Sequence, residues 1–190
     1  MFENYVLYRG RPLHLIDNFP ARGIPAPPFH VHSFENDDRS TYSLADFLTD
    51  KQPLLFATMA SIDTPVSVLE TLTLENKLKN FFAKCTESNV DISLTAIVVT
   101  SDLPFTLNRF SREHNLQNVT LLSDYFDQSL GTNYGLLFKH SRILTRSMFV
   151  IDSEGELCHF DAPPDYEQQP DIDAAIEAIA ELEGVTNAKT

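Results

Sequence analysis

The chain holds 190 residues, 43% of them hydrophobic, enough for a single domain with a sizeable buried core. Its formal charge of −13 and pI near 4.7 argue against nucleic acid and anionic membrane surfaces as partners. Two cysteines, Cys85 and Cys158, cannot build a disulfide framework, no run approaches the roughly 20 apolar residues of a membrane span, and no leader-like segment opens the chain, so a cytoplasmic protein is expected.

In chain order, Tyr5-Val6-Leu7-Tyr8 and Leu13-His14-Leu15-Ile16 flank Arg9-Gly10-Arg11-Pro12, which has the turn chemistry of a β-hairpin. Residues 18–28 hold four prolines and predict an extended surface loop. Residues 29–34 read as a strand, and Ser43 as the cap of a short helix over 44–48. The apolar run Leu54-Leu55-Phe56-Ala57-Thr58-Met59 predicts a buried strand that leads through a polar turn into a helix opening at Pro65. That helix continues through Val68, Leu69, Leu72, Leu74, Leu78 and Phe81 and ends between 84 and 88.

Residues 94–100 form a β-branched run and predict a second buried strand. Pro104 then opens another helix, with Asp102 as its expected cap. A short strand over 119–122 and a short helix within 124–132 follow. Residues 147–151 and 156–160 alternate around Asp152-Ser153-Glu154-Gly155, a hairpin signal. After Pro163, Pro164 and Pro170, the residues Ile172, Ala175, Ile176, Ile179, Ala180 and Leu182 repeat at helical spacing. The pattern fits a single α/β domain over 1–183, a thioredoxin-like sandwich, with 184–190 as a frayed tail.

Chemistry concentrates at the turn before Pro65. The first N–H groups of a helix lack intrahelical partners and the dipole is positive there, so an anion or a developing negative charge is stabilised. Ser67 lies in that first turn. A cysteine in such a place would have its thiol pKa lowered from about 8.5 toward roughly 3.5–7.5.

Three motifs carry a family likeness: Ser61-Ile62-Asp63-Thr64-Pro65-Val66-Ser67; Thr100-Ser101-Asp102-Leu103-Pro104-Phe105 with Arg109-Phe110-Ser111; and Arg146-Ser147-Met148-Phe149-Val150-Ile151-Asp152. In order and spacing, over nearly the whole chain, they resemble the thiol peroxidase class of the peroxiredoxins. The resemblance implies a thioredoxin-like (peroxiredoxin) sandwich with an N-terminal β-hairpin. It also implies that Ser67 stands at the peroxidatic cysteine position, Ser111 at the resolving cysteine position, and that Thr64 and Arg146 correspond to residues holding the peroxide oxygens. The family's dimeric habit makes a homodimer the expected assembly, with the Ser67 region near the contact. No cofactor or metal is implied. Ala60 replaces the family's proline, a change that suggests natural divergence rather than serines placed to trap a reduced enzyme.

A serine cannot perform the cysteine's role. An alcohol's pKa lies near that of water, about 15.7, against about 8.5 for a thiol. The gap corresponds to roughly 10 kcal/mol at 1.36 kcal/mol per unit, and a helix dipole supplies only about 0.3–2 kcal/mol. Sulfur can also become a sulfenic acid and return through a disulfide, for which oxygen has no equivalent. The expectation is a thiol-peroxidase-like protein that does not reduce peroxides and keeps a binding or assembly role, with a small polar or hydroperoxide-like ligand. The alternative is an active thiol peroxidase for alkyl or lipid hydroperoxides, reduced by thioredoxin and seen here as a cysteine-to-serine variant.

Several residues carry a plainer reading as well. Thr64 could simply cap its helix while Arg146 pairs with a neighbouring carboxylate. Cys85 and Cys158 read as buried thiols rather than substitute redox centres. His30 and His32, two apart on one strand, have a spacing compatible with a metal pair, but no third ligand accompanies them.

Overall fold

The computed structural model describes residues 4–35 and 38–185. At its start, β1 (Tyr5–Tyr8) and β2 (Arg11–His14) form a two-stranded antiparallel hairpin. Arg9 and Gly10 both take positive φ, 50° and 74°, so a two-residue turn closes the hairpin with the twist its strands need. The second strand therefore begins at Arg11, two residues earlier than the apolar run suggested. Leu15 still donates its N–H to the Asn4 carbonyl at 2.9 Å, while the chain at 15–16 also pairs with the segment at 137–138, through Ile16 N–H donating to the Leu137 carbonyl at 2.9 Å.

The remaining elements are β3 (His30–Glu35), β4 (Asp38–Ser43), α1 (Leu44–Phe47), β5 (Leu54–Met59), α2 (Pro65–Glu87), β6 (Thr95–Thr100), α3 (Pro104–His114), β7 (Thr120–Ser123), α4 (Ser129–Asn133), β8 (Ser147–Ile151), β9 (Leu157–Asp161) and α5 (Ile172–Leu182). Seven strands make one mixed sheet in the order β4-β3-β7-β6-β5-β8-β9. The inner strands β5, β6 and β7 run parallel, and antiparallel strands flank them on both sides. This is the expected thioredoxin-like sandwich with an N-terminal hairpin.

Every residue of β5 and β8 is buried because the sheet is covered on both faces. Leu55, Ala57 and Met59 point to the face that packs Leu74, Leu78 and Phe81 of α2, with α3 and α5. Leu54 and Phe56 point to the opposite face, where Phe29, Tyr134 and Phe149 lie. Phe56 and Phe149 stack there with ring centroids 4.6 Å apart. Among the described residues no helix is long and apolar enough to cross a membrane.

Two elements depart from expectation. Strand β4 is polar and carries no apolar alternation, so only its six-pair register against β3 makes it a strand. Asp102 does not cap α3, whose N-cap residue is Leu103 without a side-chain bond. Helix α4 falls largely within the stretch 124–132 expected to hold a short helix, and Asp124 is held in the loop before it. Its carboxylate accepts the N–H groups of Leu130 at 3.0 Å and Gly131 at 2.9 Å, and burial pushes it up to about 7 despite those bonds. Of the stretch 184–190, residues 186–190 lie outside the described residues. Val185 donates its N–H to the Ala180 carbonyl at 2.8 Å and packs on the core.

Gly131 gives a sharp test of this packing. A Cβ there would lie 2.6 Å from Leu137 Cδ2 and 2.8 Å from Asp124 Oδ2. Gly131→Ala is expected to destabilise the protein by about 1–3 kcal/mol, read as a lowered urea midpoint. An unchanged midpoint would show that Leu137 and Asp124 move aside freely.

Candidate active site

Strand β5 delivers the chain to the turn 60–64, and α2 leaves it. Asp102 fastens this turn: its carboxylate accepts the Ile62 N–H at 2.6 Å and the Thr100 hydroxyl at 2.9 Å. Arg109 adds a second tie from α3, with a guanidinium N–H 2.9 Å from Asp63 Oδ1. The helix N-terminus is thereby fixed against the ends of β5 and β6, where Pro65 opens α2 and Thr64 is its N-cap.

Thr64 Oγ1 accepts the Ser67 N–H at 3.3 Å and donates its hydroxyl to Ser67 Oγ at 2.8 Å. Ser67 is only 1% exposed. From the start of β8, one guanidinium nitrogen of Arg146 lies 3.4 Å from the same Ser67 oxygen and 2.5 Å from Glu70 Oε2. Glu70 and Arg146 are 0% and 2% exposed, so the ion pair is enclosed by protein. Burial pushes the Glu70 carboxyl up to about 7, against the opposing pull of Arg146. Its other oxygen, Oε1, has no hydrogen-bond partner among the described residues.

Tyr166 covers this cluster. Its ring centroid is 5.4 Å from the Arg146 guanidinium carbon, and its carbonyl accepts from Arg146 Nε at 3.4 Å. The loop that carries it is laced to the N-terminal hairpin: Leu7 N–H donates to the Pro164 carbonyl at 2.8 Å, and Tyr166 N–H to the Leu7 carbonyl at 2.7 Å. The hairpin thus positions a ring over the buried pair.

Two donors and a helix N-terminus converge on one oxygen, the one at position 67. That arrangement stabilises negative charge on whatever atom stands there. It does not activate a serine: Thr64 and Arg146 cannot take the hydroxyl proton, and the Glu70 carboxyl, near 7, is far too weak a base to ionise an alcohol whose pKa lies near water's, about 15.7.

The redoxin family profile matches residues 21–176. The chain belongs to the redoxin family. It is 31% identical to the thiol peroxidase of Listeria innocua over 173 residues, covering 91% of this chain and 96% of that one. It is 30% identical to the thiol peroxidase of Staphylococcus haemolyticus over 177 residues, 93% of this chain and 98% of the other. Among solved structures, a peroxiredoxin-like protein from Aquifex aeolicus superposes with a TM-score of 0.75 at 28% identity, over 94% of this chain and 96% of that one. A thiol peroxidase from Chromobacterium violaceum shares the fold, with a TM-score of 0.74 at 23% identity, over 96% of this chain and 98% of that one.

In this redoxin, Thr64, Ser67 and Arg146 come together, and the cap and the carboxylate pair of the plainer reading are both present. Ser111 stands apart on α3, lining a separate cavity that contains none of those three. Cys85 is buried near the C-terminal end of α2, and burial pushes its thiol up. Cys158, on β9, is pushed up by burial and by the Asp152 carboxylate. His30 is exposed, whereas His32 is buried with Nδ1 3.1 Å from Thr41 Oγ1. Among the described residues, no three His, Cys, Asp or Glu side chains gather to hold a metal ion.

Sequence reasoning missed Glu70 and Tyr166. Glu70 was detectable, since the buried positions of α2 include Ser67, Glu70, Thr71, Leu74, Leu78, Phe81 and Cys85, a helical stripe with one carboxylate inside it. A charge on that stripe calls for a buried partner. Tyr166 gave no such signal, because it reaches the site from a proline-rich loop far along the chain.

Proposed function

We propose that this chain is a thiol-peroxidase-like redoxin in which Ser67 and Ser111 occupy the peroxidatic and resolving cysteine positions, so that it does not reduce hydroperoxides. The observation that carries this reading is the convergence of Thr64, Arg146 and the α2 N-terminus on Ser67 Oγ. It is a site suited to a thiolate, with oxygen in the sulfur's place. Neither cysteine of the sequence can stand in. The 18 helical steps from Ser67 to Cys85 span about 27 Å at 1.5 Å per residue, and the raised thiol pKa at both cysteines disfavours the reactive thiolate.

The remaining role is binding or assembly in the cytoplasm. A homodimer is supported by four exposed apolar side chains beside the site, Leu103, Phe105, Tyr125 and Phe126. Leu103 lies in the loop after β6, Phe105 in the first turn of α3, and Tyr125 and Phe126 in the loop after β7; Asp102 joins this region to the Ser67 turn, its carbonyl accepting the Ser123 hydroxyl and its carboxylate the Ile62 N–H, both at 2.6 Å. The Thr64–Arg146 donors suit a small polar or hydroperoxide-like ligand.

The preserved scaffold also favours a second reading, an active thioredoxin-dependent thiol peroxidase for alkyl or lipid hydroperoxides carrying serines where the native gene has cysteines. Ala60 counts against it. The deciding experiment is an assay of the purified protein with an alkyl hydroperoxide and dithiothreitol. Consumption no faster than with an unrelated protein is expected; turnover sustained over many cycles and lost in Ser67→Ala would overturn the proposal. Cysteine codons at 67 and 111 in the native gene would establish the second reading.

A further inference from the structure

The N-terminal hairpin and the loop 138–143 form between them a half-open cavity of about 410 Å³, within the range of about 300–1,000 Å³ usual for small-molecule sites. Tyr166 makes part of its wall, whereas Thr64, Ser67, Glu70 and Arg146 do not line it. Backbone hydrogen bonds between distant segments set its shape. Lys139 N–H donates to the His14 carbonyl at 2.9 Å, which fastens the loop to β2, and Tyr166 N–H is held by Leu7 of β1. Within the loop, Phe138 N–H donates to the Ile143 carbonyl at 3.0 Å and Arg142 N–H to the Phe138 carbonyl at 2.9 Å. A cavity held in this way is preformed, so an occupant does not bear the cost of ordering it.

One side of the lining is aromatic and aliphatic. Tyr166 meets Tyr8 edge to face with ring centroids 5.9 Å apart, and meets Phe138 in the same manner at 5.6 Å. Leu13 and Ile143 complete this side, and Tyr8 and Ile143 remain exposed, with apolar surface that a guest would take out of water. The other side is a polar lip of three consecutive exposed residues, Lys139, His140 and Ser141. Among the described residues Lys139 makes no ion pair, which leaves its ammonium available to an anion.

We infer that this cavity binds an aromatic carboxylate, a flat body of one or two fused rings bearing a single acidic group, with its rings against Tyr8, Phe138 and Tyr166 and its carboxylate toward Lys139. The class follows from the groups that are present. A further ring can join the three in the edge-to-face or offset geometry they already use, an attraction that a saturated ring of the same size lacks. Lys139 sets the sign of the head group. The formal charge of −13 repels anions from the surface as a whole, so saturable uptake of one reports a local site. The inference is independent of the proposal for Ser67.

The test is equilibrium dialysis of the purified full chain against 2-naphthoate. Two analogues accompany it: 2-naphthalenemethanol keeps the rings without the charge, and decahydro-2-naphthoate keeps the charge without the aromaticity. Saturable uptake of 2-naphthoate is expected, with each analogue about threefold weaker or more. Lys139→Gln is expected to weaken naphthoate about two- to fivefold and to leave the alcohol unchanged, a split that a general loosening of the hairpin would not produce. Ile143→Glu sets a carboxylate at the opening and is expected to abolish naphthoate uptake, with circular dichroism reporting whether the fold survives. Should Ile143→Glu fail to fold, Lys139→Gln at its exposed position decides the matter. Absence of saturable uptake overturns the inference, as does binding of either analogue as tight as that of naphthoate. Naphthoate affinity unchanged in Lys139→Gln, or in a folded Ile143→Glu, places the acid elsewhere on the chain and overturns it as well.

Discussion

Arg146→Ala is expected to destabilise the protein by about 3–5 kcal/mol at pH 8, the range for breaking one half of a buried ion pair. The substitution leaves Glu70 enclosed, with its partner gone, beneath the Tyr166 ring. The loss should shrink at acid pH, and the sign follows from linkage. In the intact protein burial has already raised Glu70 to about 7, above its ordinary 4.5. Between those values the unfolded chain ionises while the native carboxyl keeps its proton, so this group's effect on stability becomes less favourable as pH rises, then levels off above about 7.

Without Arg146 the native carboxyl rises further, and the decline continues past the point where the intact protein levels off. The difference between variant and parent therefore widens above neutrality. Urea unfolding at pH 6 and pH 8 measures it, and adding Glu70→Gln to Arg146→Ala should remove the pH-dependent part. Equal losses at the two pH values would show that Glu70 is not the group left uncompensated.

Much of this architecture was legible because local signals agreed with the tertiary ones. Pro65 preceded by Thr64, followed by apolar residues at helical spacing, fixes where α2 begins, and the structure places its N-cap at Thr64. Ser43 caps α1 as its position suggested, and the structure adds a capping box in which Asp46 accepts the Ser43 N–H at 2.7 Å. The long apolar strand β5 and the hairpin around Asp152-Ser153-Glu154-Gly155 were equally plain.

What escaped was decided by partners distant in sequence. Strand β4 exists because β3 lies beside it, not because Asp38-Arg39-Ser40-Thr41 prefers an extended backbone. Asp102 satisfies every local rule for a cap before Pro104, yet the Ile62 N–H, 40 residues away, takes its carboxylate. Glu70 and Tyr166 belong to the same class. The candidate site was thus legible in its motif residues and silent about the ion pair and the ring that enclose them.

Ser67→Cys should convert the site from inert to reactive. A thiol at 67 would meet the Thr64 hydroxyl, the α2 N-terminus and a guanidinium that sits 3.4 Å from the present oxygen. Burial opposes ionisation, but an adjacent cation lowers a pKa by about 1–3 units. Glu70 adds a coupling: with its carboxyl near 7, it can take a proton as the thiolate forms, so that Arg146 exchanges one anionic partner for the other. The thiol is therefore expected to titrate below about 8.5, read from the pH dependence of its alkylation by iodoacetamide. Added to an alkyl hydroperoxide without reductant, the variant should consume about one equivalent: the thiolate attacks the terminal oxygen, the S–O bond forms as the O–O bond breaks, sulfur is oxidised to sulfenic acid, and the departing alkoxide takes a proton to leave as alcohol. The parent chain should consume none. A variant that remains folded but neither alkylates below pH 8 nor reduces peroxide would show that the Thr64–Arg146 frame no longer supports the chemistry for which its geometry is suited.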